Sequence, residues 1–292
     1  MQNVLKDLEF AYKMFFKGKN FPKFKSKKSH RFSYTTSFCN NNIEYKDKKI
    51  KLPKLKWVKT KDKRIPQGRI LNATISQVPS GKYYVSICCT DVPLEIFPTT
   101  NKNVGIDVGL KNFAVTSDGI TYDNPKYLKK SLNKLAKLQR GLARKTRGGS
   151  NWNKARIKLA KQYEKISNQR FDFLQKLTTR IVLENDIICV EDFKVKDIVQ
   201  NNNVHMKRSI YDTSWYEFKN NLMYKSRWHG RKLVRVDRYY ASSQICHCCG
   251  HKSPITKDLS VRTWRCPDCG TMLDRDVNAA INILNEGIKQ IA

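Results

Sequence analysis

The pattern of apolar and polar positions changes its period along the chain. Residues 1–31 begin with apolar side chains at helical spacing. These fall on one helix face: Leu5, Leu8, Tyr12 and Phe15. From about 32 to 100 the period becomes two, in runs such as RILNATISQV and KYYVSICC, which Pro79-Ser80-Gly81 joins as a hairpin turn. The pattern predicts a short helix and then a small antiparallel β-domain, either a barrel or a sandwich.

The rest of the chain alternates between strand and helix patterns. The strand patterns lie at 101–123, 186–192 and 232–240. The helical patterns lie at about 126–184, at about 213–229 and from about 276 onward. Arg147-Gly148-Gly149-Ser150 breaks the first helical pattern into a hairpin of two long helices. Strands that alternate with helices predict an α/β fold class with a central sheet.

The composition adds a strong basic excess to this pattern. The 292 residues hold 57 Lys and Arg against 25 Asp and Glu, a formal charge of +32, and 40% of them are hydrophobic. That much apolar mass can form a core, which excludes a disordered or collagen-like chain. So large a charge indicates a polyanionic partner, most often a nucleic acid. A basic peripheral membrane protein or a ribosome-associated factor also fits the charge alone.

The sequence carries no signal for export or membrane insertion. No window approaches 18 uncharged apolar residues, and the amino terminus has acids where a secretory signal needs an apolar run. We therefore expect a cytoplasmic protein, associated with the nucleoid in a prokaryote. We expect neither a membrane partner nor a small-molecule substrate.

The basic excess is concentrated in two segments. Residues 126–170 contain 15 Lys or Arg and one acid, Glu164, and such like charges repel along a helix unless a polyanion lies against them. Residues 13–31 contain eight Lys or Arg and no acid; such a run is most often solvated surface, but the aromatic rings within it can stack on bases. The candidate nucleic-acid contacts in the hairpin are Lys137, Arg140, Arg144, Lys145, Arg147, Lys154 and Arg156.

Four of the nine cysteines form two knuckles of the type Cys-x-x-Cys-Gly. The candidate zinc ligands are Cys246, Cys249, Cys266 and Cys269. A closed set of four thiolates leaves no position for water, so the zinc would be structural and would hold a small ribbon. His247, Cys248 and His251 lie close enough to leave the choice of ligands open. The remaining cysteines lie in strand-like contexts and are expected to be core residues: Cys39, Cys88, Cys89 and Cys189.

Carboxylates stand at three element ends. Asp107 lies in an apolar strand, Glu191 and Asp192 end another, and Asp274 and Asp276 begin the last helix. Each acid alone could cap a turn or pair with a lysine. Together they can meet at one crevice of an α/β sheet, where oxygen ligands suit Mg²⁺ or Mn²⁺. Two such ions can flank a scissile phosphate while a cationic surface holds the phosphodiester, which indicates a nuclease.

Five motifs in order resemble a known family. They are GIDVGLKNFA at 105–114, CVEDF at 189–193, SS at 242–243, the two cysteine knuckles, and DRDVNAA at 274–280. This series is similar to the transposon-encoded TnpB (OrfB) proteins, called transposases in older usage, which are RNA-guided DNA endonucleases related to the type V CRISPR effectors. The resemblance is specific over 101–292 and good over most of 1–100.

The resemblance implies a RuvC-like nuclease domain of the RNase H fold with a zinc ribbon inserted in it. Its catalytic acids correspond to Asp107, Glu191 and Asp276, the last chosen because it stands two residues before Asn278. The family reads sequence by pairing a guide RNA with DNA, and grips that duplex with the basic hairpin. The implied domains are a basic helical remnant (1–31), a β-barrel wedge-like domain (32–100), the nuclease domain (101–243), the zinc ribbon (244–271) and the last nuclease motif (272–292).

Three other possibilities stay open beside the RNA-guided endonuclease. Family members usually carry a longer amino-terminal part, so the resemblance indicates a shortened chain, and a non-cleaving remnant that binds DNA or RNA is the main alternative. Single-strand transposition would need a His-x-His motif and a tyrosine, but Tyr239-Tyr240 lies in a strand-like run and reads as structural. A sugar-kinase-like ATPase also uses an Asp-x-Gly strand, although the ribbon and the basic hairpin argue against it.

Overall fold

The computed structural model of the chain describes residues 2–23, 32–200, 202–258 and 260–292. The basic and aromatic run predicted to reach Arg31 therefore lies partly outside the described residues, from Phe24 onward. The chain divides into two compact units, residues 1–93 with 138–162, and residues 94–137 with 163–292.

Helices and strands occupy most of the described residues. The helices are α1 (Gln2–Phe16), α2 (Tyr127–Ala143), α3 (Ser150–Glu184), α4 (Val195–Gln200), α5 (Val204–Thr213), α6 (Trp215–Trp228) and α7 (Arg275–Lys289). The first strands are β1 (Phe32–Ser37), β2 (Glu44–Lys46), β3 (Lys49–Leu52), β4 (Lys56–Lys59), β5 (Arg69–Gln77) and β6 (Tyr83–Thr90). The later strands are β7 (Asn103–Val108), β8 (Asn112–Thr116), β9 (Thr121–Asp123), β10 (Ile187–Glu191), β11 (Lys232–Val236), β12 (Thr263–Arg265) and β13 (Met272–Asp274).

The first unit is built on two antiparallel three-stranded sheets. Their strand orders are β1-β5-β6 and β2-β3-β4. Both contribute to one small core, with Ile50 and Leu52 from β3 and Ala73 from β5 buried together. Two sheets that share a core are closer to a sandwich than to a closed barrel. The domain limits predicted for this region stay a prediction.

The first unit also contains the tip of the helical hairpin. The turn between α2 and α3 uses Gly148 at φ +88°, a backbone conformation that other residues adopt with strain. Arg156, near the start of α3, donates a hydrogen bond of 3.2 Å to the carbonyl oxygen of Pro79 in the β5–β6 turn. This contact fixes the tip to the sheet of the same unit.

The second unit is built on a mixed five-stranded sheet with the order β11-β10-β7-β8-β9. β7, β10 and β11 are parallel, whereas β8 and β9 are antiparallel to their neighbours. Alternate residues of β10 enter different cores, since Ile188 and Val190 pack with α3 and α6 while Cys189 packs with α7. The sheet therefore has helices on both faces.

Two glycines allow α7 to lie directly on the sheet. A Cβ atom at Gly105 of β7 would come within 2.0 Å of the carbonyl oxygen of Ala280, and one at Gly287 within 2.4 Å of Cys189 Sγ. Ala280 itself is fully buried. Gly105 and Ala280, from the first and the last of the five motifs, thus allow the close approach between α7 and β7.

Two buried ion pairs fix the helices that cover the other face. Asp212 of α5 accepts hydrogen bonds from the first-turn amides of α2 and pairs with Arg170 of α3 at 2.8 Å. Arg231, which precedes β11, pairs with Asp186 before β10 and donates to the carbonyl of Val182 at the end of α3. Buried charges of this kind are tolerated because each finds several partners.

The structure adds two helices that were not predicted and corrects two predictions. The helices are α4 and α5, whose short, polar sequences lack a clear apolar stripe. Tyr239-Tyr240 lies in a turn after β11 and not in a strand. Cys39 and Cys88 are exposed and are not core residues, because Cys39 follows the end of β1 and Cys88 lies on an edge strand.

None of the described helices is long and apolar enough to cross a bilayer.

Candidate functional site

The carboxylates of β7 and β10 lie side by side on the sheet face that α7 covers. Ile106 pairs with Val190 in the parallel register, so Asp107 and Glu191 are the next two residues along their strands. Ile106 and Val190 point into the core on the opposite face. Because side chains alternate along a strand, Asp107 and Glu191 both project toward α7.

The first turn of α7 supplies the third acid. Asp274 is the N-cap of this helix, and its side chain accepts hydrogen bonds from the amides of Asp276 and Val277 at 3.0 and 2.9 Å. That role occupies Asp274 and leaves Asp276 available for another one. The structure thus gives a physical reason for choosing Asp276 from the two aspartates.

Charge and burial at this face perturb the carboxyl groups strongly. Burial, followed by the charges of Asp276 and Glu191, raises the pKa of Asp107 to about 8, and Arg275 opposes that rise. Burial raises the pKa of Glu191 to about 7. The structure therefore brings the three acids close enough to act on one another, and Asp107 and Glu191 resist ionisation without a compensating cation.

Asp192, next to Glu191, has a different environment. Its Oδ1 lies 2.8 Å from Lys219 Nζ and 3.9 Å from Arg235 Nη1. The hydrogen bond from Lys219 lowers the pKa of Asp192 below its usual value. Asp192 is thus a paired carboxylate, whereas Glu191 has no ion-pair partner among the described residues.

The three acids do not form a tight cluster. In the described part of the chain, only the four cysteines form a group of three or more metal-binding side chains whose ligand atoms all lie within 4.8 Å of one another. At least one pair among Asp107, Glu191 and Asp276 is therefore further apart.

Two arginines at this centre were not predicted from the sequence. Arg262 Nη1 lies 3.4 Å from Asp276 Oδ1, and its backbone carbonyl accepts a hydrogen bond from the amide of Arg275. Arg275 is buried and donates to the carbonyl of Asp258 at 3.0 Å. In a chain with 57 basic residues neither arginine carries a sequence signal that separates it from the others.

The four cysteines form a compact thiol cluster. Cys246 Sγ lies 3.7 Å from Cys269 Sγ, and Cys249 Sγ lies 3.5 Å from Cys266 Sγ. A tetrahedron with Zn–S bonds of about 2.3 Å has sulfur–sulfur edges of about 3.8 Å. The four sulfurs therefore fit a structural zinc ion.

The two halves of the cluster repeat the same local backbone. The amides of Gly250 and Gly270 each donate a 2.9 Å hydrogen bond to the carbonyl of the first cysteine in their knuckle, and both glycines have positive φ. Cys246 and Cys266 are 1% exposed and pack with Trp264 and Leu273. Each knuckle thus directs two sulfurs inward from a turn that a glycine completes.

The neighbouring residues that left the ligand choice open have other partners. His247 Nδ1 lies 3.0 Å from Asn278 Oδ1, and His251 Nδ1 lies 2.8 Å from Asp268 Oδ2. Cys248 is exposed and its Sγ lies 3.3 Å from His247 Nε2. These contacts leave the two symmetric knuckles as the ligand set.

Asparagines of α7 join the ribbon to the acidic centre. Asn278 accepts from the amide of His247 at 3.0 Å and donates to the carbonyl of Ile245 at 2.7 Å. Asn282, one turn later, donates to the carbonyls of Ser242 and Ile245. Because Asp276 lies on the same helix, the start of the ribbon and this acid are held by one element.

The candidate nucleic-acid contacts of the hairpin are mostly exposed. Six of them have open side chains: Lys137, Arg140, Arg144, Lys145, Arg147 and Lys154. Arg156 differs, since it is half-buried and bonded to Pro79. It is placed to stabilise the first unit as well as to meet a ligand.

Comparison with protein families gives two matches along the chain. Residues 86–202 match the OrfB_IS605 family, described as "Probable transposase". Residues 215–283, which include the zinc cluster, match the family "Cas12f1-like, TNB domain".

Two curated relatives match almost the whole chain. A Streptomyces pristinaespiralis protein named "Putative RNA-guided DNA endonuclease" is 36% identical over 99% of this chain and 71% of its own length. The InsQ protein of Escherichia coli (strain K12), which carries the same description, is 36% identical over 98% of this chain and 74% of its own length.

A solved structure shares the fold. The structure titled "Cryo-EM structure of the Cas12f1-sgRNA-target DNA complex" matches with a TM-score of 0.52 at 17% identity, over 74% of this chain. The match covers 45% of that protein, so this chain corresponds to less than half of it. The likeness shows a mixed α/β fold of the Cas12f type.

Proposed function

Because the chain belongs to the TnpB (OrfB) transposase family of RNA-guided DNA endonucleases, we propose that it hydrolyses DNA phosphodiester bonds with three carboxylates and divalent cations. The carboxylates are those of Asp107, Glu191 and Asp276. The observation that carries this proposal is the raised pKa of Asp107, to which the charges of the other two acids contribute. Carboxyl groups that destabilise one another in this way are typical of a functional site.

The sheet topology supports an RNase H-like, RuvC-like nuclease domain. Three antiparallel strands followed by two parallel ones place the ends of β7 and β10 side by side. Asp107 and Glu191 stand at these ends, and α7 adds Asp276 from above the same face. An active centre made from strand ends and a helix start agrees with that fold.

Oxygen ligands and an excess of negative charge fit Mg²⁺ or Mn²⁺. Such ions, when bound, would supply electrostatic stabilisation of the phosphate and activation of water. The chain's own residues then have separate roles. Asp107, Glu191 and Asp276 hold the ions, while Arg262, 3.4 Å from Asp276, is placed to meet a phosphate oxygen once that carboxylate is engaged.

The partners in this proposal are a guide RNA and a DNA target. The exposed cations on the α2–α3 hairpin provide a surface for the backbone of a paired RNA–DNA duplex. Binding to that surface should weaken steeply as salt rises, because binding releases counterions from the nucleic acid and added salt opposes that release. The zinc ribbon stabilises the fold and takes no part in bond breaking.

The test is cleavage by the protein with its copurified RNA and a matched DNA target. Asp107→Ala should reduce cleavage by more than about 100-fold, beyond the loss typical of residues that only support a ligand. RNA binding should be unchanged, because Asp107 lies on the sheet and not on the hairpin. Cleavage that persists in Asp107→Ala would overturn the proposal.

The second candidate is a non-cleaving protein that binds DNA or RNA. The contact of Arg262 with Asp276 favours it, since a guanidinium there offsets one of the negative charges that a divalent cation would need. The same assay separates the two candidates. Wild-type protein that binds RNA and cuts no target in Mg²⁺ or Mn²⁺ would establish the second.

A further inference from the structure

A cavity of about 550 Å³ lies in the second unit, directly after the strand that carries Glu191. Its lining is mainly apolar, and its principal walls are Phe193, Ile210, Tyr211, Trp215, Tyr216 and Lys219. A volume of this size accommodates a nucleotide-sized ligand. The cavity has no role in the carboxylate chemistry proposed above.

The junction of α5 and α6 shapes this cavity. Ser214 joins the two helices in a left-handed conformation, with φ +57° and ψ +40°, and turns the first residues of α6 toward the cavity. Phe193 and Trp215 form its floor, with ring centroids 5.8 Å apart in an edge-to-face arrangement. Phe193 stands two residues after Glu191, so the cavity and the acidic centre share one segment of chain.

The rim carries two exposed aromatic rings. Tyr211 and Tyr216 are 60% and 65% exposed, unusual values for large rings that border an apolar cavity. Flat rings at an opening can stack against a planar ligand. Their exposure in the free protein is what a ligand-stacking role requires.

The charged groups at the rim define where an anionic part of the ligand can lie. Lys194 is exposed there, and Lys219 bridges to Asp192. Asp197 is paired with Arg238 at 2.9 Å, which leaves Glu217 as the remaining acid at the edge. A phosphate is therefore favoured on the Lys194 side and disfavoured near Glu217.

We propose that this cavity binds one unpaired base of a single-stranded nucleic acid. A base is planar and stacks on exposed rings, and its phosphate can meet Lys194. A base within a duplex is already stacked and paired, so only an unpaired strand fits. The inference rests on the proposed function in one respect, that the strand is the one leading to the Asp107 centre.

The test measures binding of a single base without any cleavage. Two short single-stranded probes are compared in the absence of Mg²⁺ and Mn²⁺: a base-free DNA backbone, and the same backbone with one central thymidine. Their charges are identical, so the ratio of the two affinities reports the contribution of the base alone. For the wild-type protein we expect the thymidine probe to bind about five- to tenfold more tightly, as one stacked base does.

The variants locate the base. Tyr216→Ala removes an exposed ring and should bring the ratio close to one without affecting folding. Tyr83→Ala is the matched control, since Tyr83 is 70% exposed on β6 and lies outside the cavity, and the ratio should keep its wild-type value.

Two results would overturn the inference. One is a wild-type ratio of one, and the other is a ratio that Tyr216→Ala leaves unchanged. If Tyr216→Ala instead alters self-association or the binding of a protein while the ratio stays constant, the occupant is a polypeptide and the inference is wrong. A protein that retains the ratio but cuts no DNA would contradict only the nuclease function.

Discussion

The cysteine cluster and the acidic centre are both candidate metal sites, and the sequence builds them in opposite ways. Two knuckles within 24 residues supply all four sulfurs, and sulfur–sulfur distances of 3.5 and 3.7 Å already match a tetrahedral ion. The acids come from β7, β10 and α7, more than eighty residues apart in each interval. The first site depends on local turns, whereas the second depends on the whole sheet.

Each site also holds groups that resist ionisation without a cation. Hydrogen bonds with Thr271 lower the pKa of Cys269 to about 6. Against a hydrogen bond from the backbone of His251, however, burial and hydrogen bonds with the other three thiols raise the pKa of Cys249 to about 12. Asp107 and Glu191 have raised pKa values of about 8 and about 7. A bound cation would therefore relieve an unfavourable charge at both sites.

The largest effect should come from replacing Asp276 at the start of α7, and replacing its neighbour Asp274 provides the comparison. Asp276→Asn removes a proposed cation ligand and should lower cleavage by more than about 100-fold. Asp274→Asn should change cleavage by less than about threefold, because asparagine caps a helix as well as aspartate does. Initial rates of DNA cleavage measure both.

The pair of variants separates chemistry from stability. Both should leave the thermal unfolding midpoint within about 2 °C of wild type, since the cap is retained in each. Equal losses of cleavage in the two variants would show that α7 acts only as a structural support, and the acidic centre would then lack Asp276.

Loss of a zinc ligand should reduce the stability of the protein first and its cleavage activity only as a result. Cys266→Ser replaces a buried thiol. We expect the protein to lose its bound zinc and, with it, several kcal/mol of folding stability, because the binding energy of a structural zinc ion contributes to folding. Cleavage should fall as a consequence, because Asn278 and Asn282 connect the ribbon to α7. Zinc content and the thermal midpoint are the measurements.

Cys248→Ser provides the matched control for the zinc prediction. Cys248 is exposed, lies between two ligands in sequence and is outside the cluster. Its replacement should leave zinc content and the thermal midpoint unchanged. If Cys248→Ser releases zinc, the ligand set is not the symmetric one.

The zinc cluster could be predicted from sequence because its geometry is local. Spacing within each Cys-x-x-Cys-Gly fixes the turn, and the turn fixes where the sulfurs point. The helical hairpin was predictable for the same reason, and α2 and α3 lie within the predicted limits. A repeated apolar spacing determines such elements without help from distant residues.

The acidic centre could be predicted only as a set of candidates. Sequence alone did not exclude Asp192, whose pairing with Lys219 depends on α6, or Asp274, whose role as a cap appears only with the helix start in place. The place of Arg262 near Asp276 was not predictable, because an arginine in a basic chain has no distinguishing pattern. Each of these distinctions depends on tertiary contacts.

The smallest effect should be a pH-dependent gain in stability from Asp107→Asn. The folded pKa of Asp107 is about 8, whereas its ordinary value is 3.8, so between these values the native state retains a proton that the unfolded state releases. Stability of the wild-type protein is therefore unaffected by this group below about pH 4 and falls as the pH rises toward 8. Asparagine removes that dependence.

The gain should be measured without added Mg²⁺ or Mn²⁺, by thermal unfolding at several values between about pH 5 and pH 8. We expect the stability margin of Asp107→Asn over wild type to grow steadily from pH 5 to pH 8, by at least about 2 kcal/mol in total. Asp91→Asn, at an exposed pair with Arg69, should show neither effect. A gain that is constant with pH would mean that asparagine improves packing only, and that Asp107 ionises freely in the folded protein. Added Mg²⁺ should reverse the order of stability at pH 8, because a bound cation stabilises the ionised carboxylate and not the amide.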